Sequence, residues 1–212
     1  MRAAVVRRIL VPIACLFVFL LVPSLASAQD NRTTSETGAD HFTADFPSGG
    51  QLRVHLRSSG VRITGTAENK IQIHFSCPNT DDLGNVRVAF KKSGNRGDLD
   101  VTGGPNNNFQ INIEVPRNSD LYVRMFAGEL EVSEINGNKD MQIHAGDLRL
   151  SLGKSGDYGP VSISVTTGDL DASAFGVSKS GLFRSFHTNT ALHKPGAGKY
   201  SLYAHVDAGD LT

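Results

Sequence analysis

The chain has 212 residues, with 21 basic and 21 acidic side chains, two cysteines and no tryptophan. The balanced charge and the lack of any basic run argue against nucleic acid as a partner. Two cysteines are also too few for the framework of several disulfides that holds many small secreted domains together.

Residues 1–28 have the pattern of a secretory signal peptide. A basic start precedes an apolar run from Ile9 to Val22, and the small-residue site Ala26-Ser27-Ala28 follows it. We expect cleavage after Ala28 and export to the periplasm, the outer surface or the cell exterior. An uncleaved membrane anchor is the alternative, although the apolar run is short for a membrane span.

The remaining 184 residues, 29–212, carry a net charge of −3, because the signal removes three basic residues and no acid. A chain of this size can bury roughly 70% of its unfolded surface in one domain. Residues 29–40 have almost no apolar content, which predicts a disordered leader. Cys77 is the one cysteine left after cleavage, and we interpret it as a small, buried or half-buried apolar residue.

From residue 41 onward, apolar and polar residues alternate with a period of two. Such alternation predicts strands with one apolar and one solvated face, and no convincing helical stripe competes with it. The apolar sets are Leu52/Val54/Leu56, Ile71/Ile73/Phe75, Val86/Val88/Phe90, Ile111/Ile113/Val115, Leu121/Val123/Met125, Met141/Ile143, Leu148/Leu150/Leu152, Val161/Ile163/Val165 and Leu202/Ala204/Val206.

A short motif recurs along these strands. Gly-Asp-Leu or Gly-Glu-Leu occurs five times, and a repeat of this kind is typical of a repetitive β protein. The copy at Gly97 fits poorly, and we expect it to belong to a hairpin loop over 91–98, where Arg96-Gly97-Asp98 is a plain turn. The other four share a longer frame: Phe126-Ala-Gly-Glu-Leu-Glu-Val, His144-Ala-Gly-Asp-Leu-Arg-Leu, Thr166-Thr-Gly-Asp-Leu-Asp-Ala and Asp207-Ala-Gly-Asp-Leu-Thr.

Each framed copy shifts the phase of the alternation. The step from the inward Ala145 to Leu148 is odd, and plain alternation would put Leu148 on the wrong face. A corner with a positive φ at glycine absorbs the extra residue, and the acid can bond to backbone N–H groups there. A tight interior explains the small residue before each glycine, and Ser58-Ser59-Gly60-Val61 is a variant. The predicted structural corners are Gly128 and Glu129, Gly146 and Asp147, Gly168 and Asp169, and Gly209 and Asp210.

These corners predict one all-β domain over 41–212 with two parts. Residues 41–116 form hairpin strands, and 117–212 form repeated strand-corner-strand rungs in a β-solenoid or β-helix-like stack. Glycine spacings of 18, 22 and 41 suggest rungs of about 20 residues. The last interval then holds a degenerate rung with corners at 175–176 and 181–182. The final strand lies at an exposed edge or pairs with an earlier strand.

The order of motifs resembles a known bacterial family. Glu114-Val-Pro-Arg-Asn-Ser-Asp-Leu-Tyr-Val, then Ala127-Gly-Glu-Leu-Glu-Val, then repeated Gly-Asp-Leu after a strand, is similar to the secreted β-strand-repeat "putative adhesins", also called toastrack domains. The resemblance spans about residues 42–212. It implies a solenoid-like or stacked-sheet fold, an envelope or extracellular setting, and a non-catalytic role in adhesion or sensing.

The sequence contains no strong motif for catalysis or for binding a metal or a cofactor. The recurrent acids supply one carboxylate a rung, short of the six to eight oxygens that Ca²⁺ takes, so hydrogen bonding at the corners is the favoured interpretation. The histidines at outward strand positions are His55, His74, His144 and His205. His187 and His193 have no recognised ligand spacing, and Gly196-Ala-Gly-Lys-Tyr departs from a phosphate loop. We therefore expect no catalytic residues, no metal and no cofactor.

Three hypotheses of function follow. The first is a secreted, non-catalytic binding or scaffold module whose partners are envelope glycans or proteins. The second is a periplasmic module for envelope-stress sensing or structure. The third and weakest is a β-helix polysaccharide-active enzyme, because the chain lacks tryptophan and a clustered carboxylate pair.

Overall fold

The computed structural model describes residues 31–38, 40–105, 107–179 and 190–212. Strands dominate these residues, with three short 3₁₀ turns at Thr80–Asn85, Ser155–Asp157 and Ser173–Phe175, so the all-β prediction is confirmed. The strands are β1 (Asn31–Thr37), β2 (His41–Asp45), β3 (Gln51–Thr66), β4 (Lys70–Ser76), β5 (Arg87–Ser93), β6 (Arg96–Thr102), β7 (Gln110–Pro116), β8 (Asp120–Ser133), β9 (Lys139–Ser151), β10 (Tyr158–Thr167), β11 (Leu170–Ala172), β12 (Val177–Lys179), β13 (Thr190–Lys194) and β14 (Tyr200–Ala208).

Twelve of these strands form one sheet, in which β3 is the branch point. The main path runs β1-β5-β6-β3-β8-β9-β14-β10-β13. The first half of β3 pairs with β6, its second half pairs with β7, and its other edge pairs with β8 along both halves. The β7 branch continues through β4 to β2. Phe90 of β5 makes edge-to-face contacts with Phe42 and Phe46, at centroid distances of 6.2 and 6.3 Å, so the two branches share one core.

The burial of side chains follows the predicted alternation. Every apolar residue assigned above to an inward set is buried except Leu150 and Leu152, which are half-buried. One apolar cluster contains residues of both the hairpin part and the corner part of the chain. The odd step is also visible, because Met125 and Leu130 are five positions apart and both are buried, whereas plain alternation would place them on opposite faces.

The four framed glycines lie at bends, with φ values of 117° (Gly128), 128° (Gly146), 141° (Gly168) and 140° (Gly209). They form one column in space, which begins at Ser59 on β3. A β-carbon on each glycine would lie only 1.8 to 2.1 Å from the carbonyl oxygen of the preceding corner, far closer than van der Waals contact allows. The order of the column is Ser59, Gly128, Gly146, Gly209 and Gly168.

The residues before these glycines are not interior, contrary to our expectation. Ala127 and Ala145 are half-buried, and Thr167 and Ala208 are exposed. The close approach of successive corners is therefore a constraint on the glycines themselves, and a crowded interior does not explain the residues before them.

The bends explain a connection that is short for a parallel sheet. Strands β8 and β9 are parallel, with Leu121 opposite Lys139 and Ser133 opposite Ser151. Parallel neighbours normally need a crossover of about a dozen residues, but only 134–138 lie between these two strands. The bend in β8 provides the rest of the return path, because its second half runs in a new direction.

The C-terminal strand lies inside the sheet, between β9 and β10. Strand β14 is parallel to both, with Val206 opposite Ile143 on one side and Val165 on the other. Beyond the corner, Leu211 bridges Leu148 and Leu170. Of the two predicted alternatives, an exposed edge or pairing with an earlier strand, the structure shows the second, because the last copy of the motif fills a place between two earlier copies.

The predicted degenerate rung is also wrong at its first corner. Gly176 has a φ of 81° and ends a 3₁₀ turn that reverses the chain into β12, antiparallel to β11. Strand β13 is likewise antiparallel to β10. The second proposed corner, at 181–182, lies outside the described residues.

The leader and the hairpin loop differ in detail from the sequence predictions. Strand β1 covers most of the segment expected to lack structure, and it pairs with the edge of β5. Backbone hydrogen bonds explain this strand, because its described side chains are exposed. In the predicted hairpin of β5 and β6 the turn is at Gly94-Asn95, and Gly97 lies within β6 between Phe90 and Phe46.

The close approach of the corner glycines predicts that adding a single methyl group to one of them strongly destabilises the fold. We expect Gly146→Ala to lower the free energy of unfolding by roughly 3 kcal/mol or more, because the methyl group must force two corners apart. Gly94→Ala is the matched control, since Gly94 also has a positive φ, of 60°, but a β-carbon there meets no described atom within 4 Å. Gly94→Ala should lower the free energy of unfolding by about 1 kcal/mol. Urea unfolding measures both, and equal losses would contradict the role of the column.

Candidate functional site

The acids of the corners form a ladder along the column. Asp147 Oδ1 accepts the backbone N–H of Asp210 at 3.1 Å, and Asp210 Oδ1 accepts that of Asp169 at 2.9 Å. Glu129 instead pairs with Arg149 on the next strand. These contacts link neighbouring corners, and among the described residues no three His, Cys, Asp or Glu side chains are placed to hold a metal ion together.

A buried lysine, which the sequence analysis did not single out, lies at the start of β9. Lys139 is in the inward phase beside Met141, and its Nζ donates to the carbonyl oxygen of Ile135 at 2.8 Å and to the hydroxyl of Tyr158. Burial lowers the pKa of Lys139 to about 8, against a smaller opposing effect of Asp120. Burial raises the pKa of Tyr158 to about 12. This pair belongs to the core and faces no groove.

The outward face of the sheet carries a groove of about 400 Å³. It crosses the same segment of five adjacent strands, β6, β3, β8, β9 and β14. Most of its polar lining comes from outward side chains at matched register positions. They are Asp100 on β6, His55 and Arg57 on β3, Arg124 and Phe126 on β8, Gln142 and His144 on β9, and His205 and Asp207 on β14.

An exposed aromatic ring stands in the middle of this groove. The Phe126 side chain is 64% exposed, and its ring stacks on the imidazole of His144 with a centroid distance of 5.2 Å. Tyr203, the other exposed large apolar residue among the described residues, lies on β14 two outward rows from Phe126. The Phe126 ring therefore presents an aromatic surface to solvent, against which a ligand can pack.

A chain of hydrogen bonds ends at the same place. Asp207 bridges two imidazoles, because its Oδ2 lies 2.8 Å from His144 Nδ1 and its Oδ1 lies 2.8 Å from His205 Nε2. His205 Nδ1 in turn lies 2.7 Å from Ser164 Oγ on β10. The hydrogen bonds from His144, followed by those from His205, lower the pKa of the Asp207 carboxyl.

Arg124, in the middle of the groove, forms an ion pair with the neighbouring strand. The Nη1 atom of Arg124 lies 2.9 Å from Asp140 Oδ1, and the same nitrogen donates to two backbone carbonyl oxygens. His55 stands directly opposite Asp100 on β6. The groove therefore combines an apolar ring with side chains that donate and accept hydrogen bonds.

The sequence alone indicated only some of these residues. It placed His55, His144 and His205 at outward positions, and the structure brings these three together on one face. His74 lies elsewhere, opposite His41 on the β2–β4 pair. His193 is outward on β13, opposite Ser162, and His187 lies outside the described residues. Phe126 and Asp207 entered the sequence predictions only as parts of the repeat, although their positions in the alternation already indicated side chains that point outward.

No protein-family model matches the sequence, and no curated protein matches it. Among solved structures, a "putative cell adhesion protein" from Clostridium sporogenes aligns with a TM-score of 0.48 at 14% identity, covering 85% of this chain and 98% of the other. A "putative adhesin" from Parabacteroides merdae aligns with a TM-score of 0.22 at 10% identity, covering 57% and 53%.

Among the described residues, no helical segment has the length and apolar character needed to cross a membrane. Residues 1–28, the predicted signal peptide, lie outside the described part of the chain.

The acid ladder predicts a difference between two substitutions at one corner. Asp210→Ala removes the acceptor of the Asp169 N–H group and should cost about 1 kcal/mol of stability. Asp210→Asn keeps an oxygen acceptor and should cost clearly less. Urea unfolding compares the two variants. If they are equally destabilised, charge at the corner matters more than the hydrogen bond.

The buried lysine predicts that stability rises with pH. A lysine with a folded pKa near 8 and an ordinary unfolded pKa near 10.5 releases its proton on folding between these values. The unfolded state then binds more protons, so the free energy of unfolding should rise by about 2 kcal/mol from about pH 8 to about pH 10. The raised pKa of Tyr158 has the opposite effect, but only above the ordinary tyrosine pKa of 10.0.

Two variants assign this rise to Lys139. In Lys139→Met the rise should disappear, whereas Tyr158→Phe should keep it because the lysine stays buried. Chemical denaturation across that pH window measures the slope. A slope that survives in Lys139→Met would show that another group causes it.

Proposed function

We propose that this protein is a secreted, non-catalytic binding module that contacts glycans of the bacterial envelope through its groove. The observation that carries the proposal is the exposed Phe126 ring, stacked on His144 in the middle of the groove. Sugar rings present apolar C–H faces and many hydroxyl groups. The groove matches both, with an aromatic face beside donors and acceptors such as Gln142 and Arg124.

The spacing of carboxylates favours binding over hydrolysis. The aspartates that line the groove, Asp100 and Asp207, lie on β6 and β14, with three strands between them. Four interstrand spacings amount to about 19 Å, whereas glycosidases hold their two carboxyl groups about 5 to 9.5 Å apart. Asp207 is also bound to two imidazoles.

We infer that the bent strands act as rungs of a solenoid-like stack; these strands are β3, β8, β9, β14 and β10. We also infer that the eight corner residues stabilise this stack and do not bind a ligand. The parallel register and the column of corners support this inference. The N-terminal apolar segment supports export.

The proposal predicts that the aromatic residues of this face are needed for binding. Phe126→Ser with Tyr203→Ser should weaken glycan binding by about tenfold or more, because each lost aromatic contact is worth about 0.5 to 1.5 kcal/mol. The measurement is a glycan array and an envelope pull-down with purified wild-type and variant protein. The melting temperature should change little, since both side chains are exposed.

A control on another outward surface makes the result specific. Arg62→Ala removes an exposed ion pair with Glu131, with an N–O distance of 2.9 Å, outside the groove. It should leave binding unchanged. If no glycan binds, while loss of the protein alters envelope-stress signalling, the sensing module replaces the binding module.

A further inference from the structure

Three histidines converge on the groove from strands that are far apart in the sequence. His55, His144 and His205 come from β3, β9 and β14 and all line the same groove. Imidazole is the side chain that gains its proton between about pH 8 and about pH 5. Nearly half of the seven histidines of the chain thus lie where a ligand would contact them.

The fixed charges of the groove nearly balance, so the histidines decide the sign of its net charge. Strand β6 contributes Asp100, β3 contributes Arg57, β8 contributes Arg124 and β14 contributes Asp207. Strand β9 adds Asp140, which lies outside the lining but pairs with Arg124 from the neighbouring row. Strand β10 packs against β14 with Ser164 and Thr166 at the facing positions. Two arginines thus stand against three carboxylates, a fixed charge of −1, and protonation of two or more of the three histidines makes the groove cationic.

Asp207 does not counteract this change by taking up a proton. Its carboxyl accepts hydrogen bonds from both His144 and His205, and its pKa is lowered. It therefore stays ionised over the pH range in which an imidazole ordinarily takes up a proton. The proton gained by each histidine then appears as positive charge in the groove.

We propose that the groove binds an acidic polysaccharide and holds it more tightly as the pH falls. This inference rests on the proposed function and names the class of glycan and its regulation. The groove crosses five strands, or about 19 Å, which suits several units of an extended polymer rather than a single small anion. The Phe126 ring provides a surface for a sugar face between the flanking imidazoles and Arg124.

The experiment compares charged and neutral polymers at two pH values. Purified protein is titrated with dextran sulfate and with neutral dextran at about pH 5.5 and about pH 7.5, at one ionic strength. Sulfate groups keep their charge at both values, so a change in affinity reports on the protein. Binding that shifts the pKa of one imidazole by one unit corresponds to about a tenfold change in affinity. We expect dextran sulfate to bind at least about tenfold more tightly at the lower pH.

Variants assign the pH dependence to the groove. The triple variant with His55→Gln, His144→Gln and His205→Gln should bind dextran sulfate equally at both pH values. The control variant with His41→Gln and His74→Gln, on the β2–β4 pair outside the groove, should keep the wild-type ratio. If the triple variant fails to fold, His55→Gln and His144→Gln are used singly, and each should reduce the ratio.

Other outcomes separate this inference from the proposed function. Neutral dextran bound through Phe126 without pH dependence would leave the glycan-binding module standing and overturn the acid-dependent preference for anions. A triple variant that keeps the pH dependence would overturn it too. Tighter binding to phosphatidylglycerol vesicles than to dextran sulfate would show a preference for a lipid surface over a polysaccharide. Failure of every glycan to bind at either pH would overturn both proposals.

Discussion

The close approach of successive corners is the constraint on which the sheet depends. At Gly128, Gly146, Gly209 and Gly168 the space that a β-carbon would need is occupied by a carbonyl oxygen of the neighbouring corner. Each of these glycines also has a positive φ, which side chains with a β-carbon adopt at a cost. Because the bend must occur at the same level in every strand, the column fixes the register of the strands on both sides of it.

That register creates the groove. His144 and Asp207 are 63 residues apart in the sequence, and Ser164 and His205 are 41 apart, yet both pairs are in hydrogen-bond contact. A shift of one residue in any of these strands would turn the outward side chains toward the core. The glycines therefore contribute to the site without touching it, because they hold its side chains in common rows.

The strands could be predicted from the sequence because burial leaves a local signal. A period of two indicates which side chains are buried, and an odd step between buried residues, such as Ile143 to Leu148, indicates a change of phase. The order of the strands leaves no such signal. The last corner, at Gly209, has the same motif as the others, so its position between Gly146 and Gly168 could not be inferred from spacing.

The groove was missed for the same reason. Outward phase was readable for Phe126, His144 and Asp207 one by one, but their proximity depends on which strands are neighbours. Lys139 was missed for a different reason, since one lysine in an apolar phase is easily interpreted as the end of a strand. Here the carbonyl oxygens of Ile135 and Gly137 and the hydroxyl of Tyr158 satisfy its ammonium group inside the core.

The regularity that builds the groove also limits what it can do. The backbone N–H groups of β8, β9 and β14 take part in parallel ladders with their neighbours. A ligand on this face therefore meets side chains rather than free backbone N–H groups of these three strands. The hydrogen-bonded series from Ser164 through His205 to Asp207 lies on such paired strands. Under the proposed function, recognition by this face comes from the identity and charge of its side chains, which is the property that a change of pH alters.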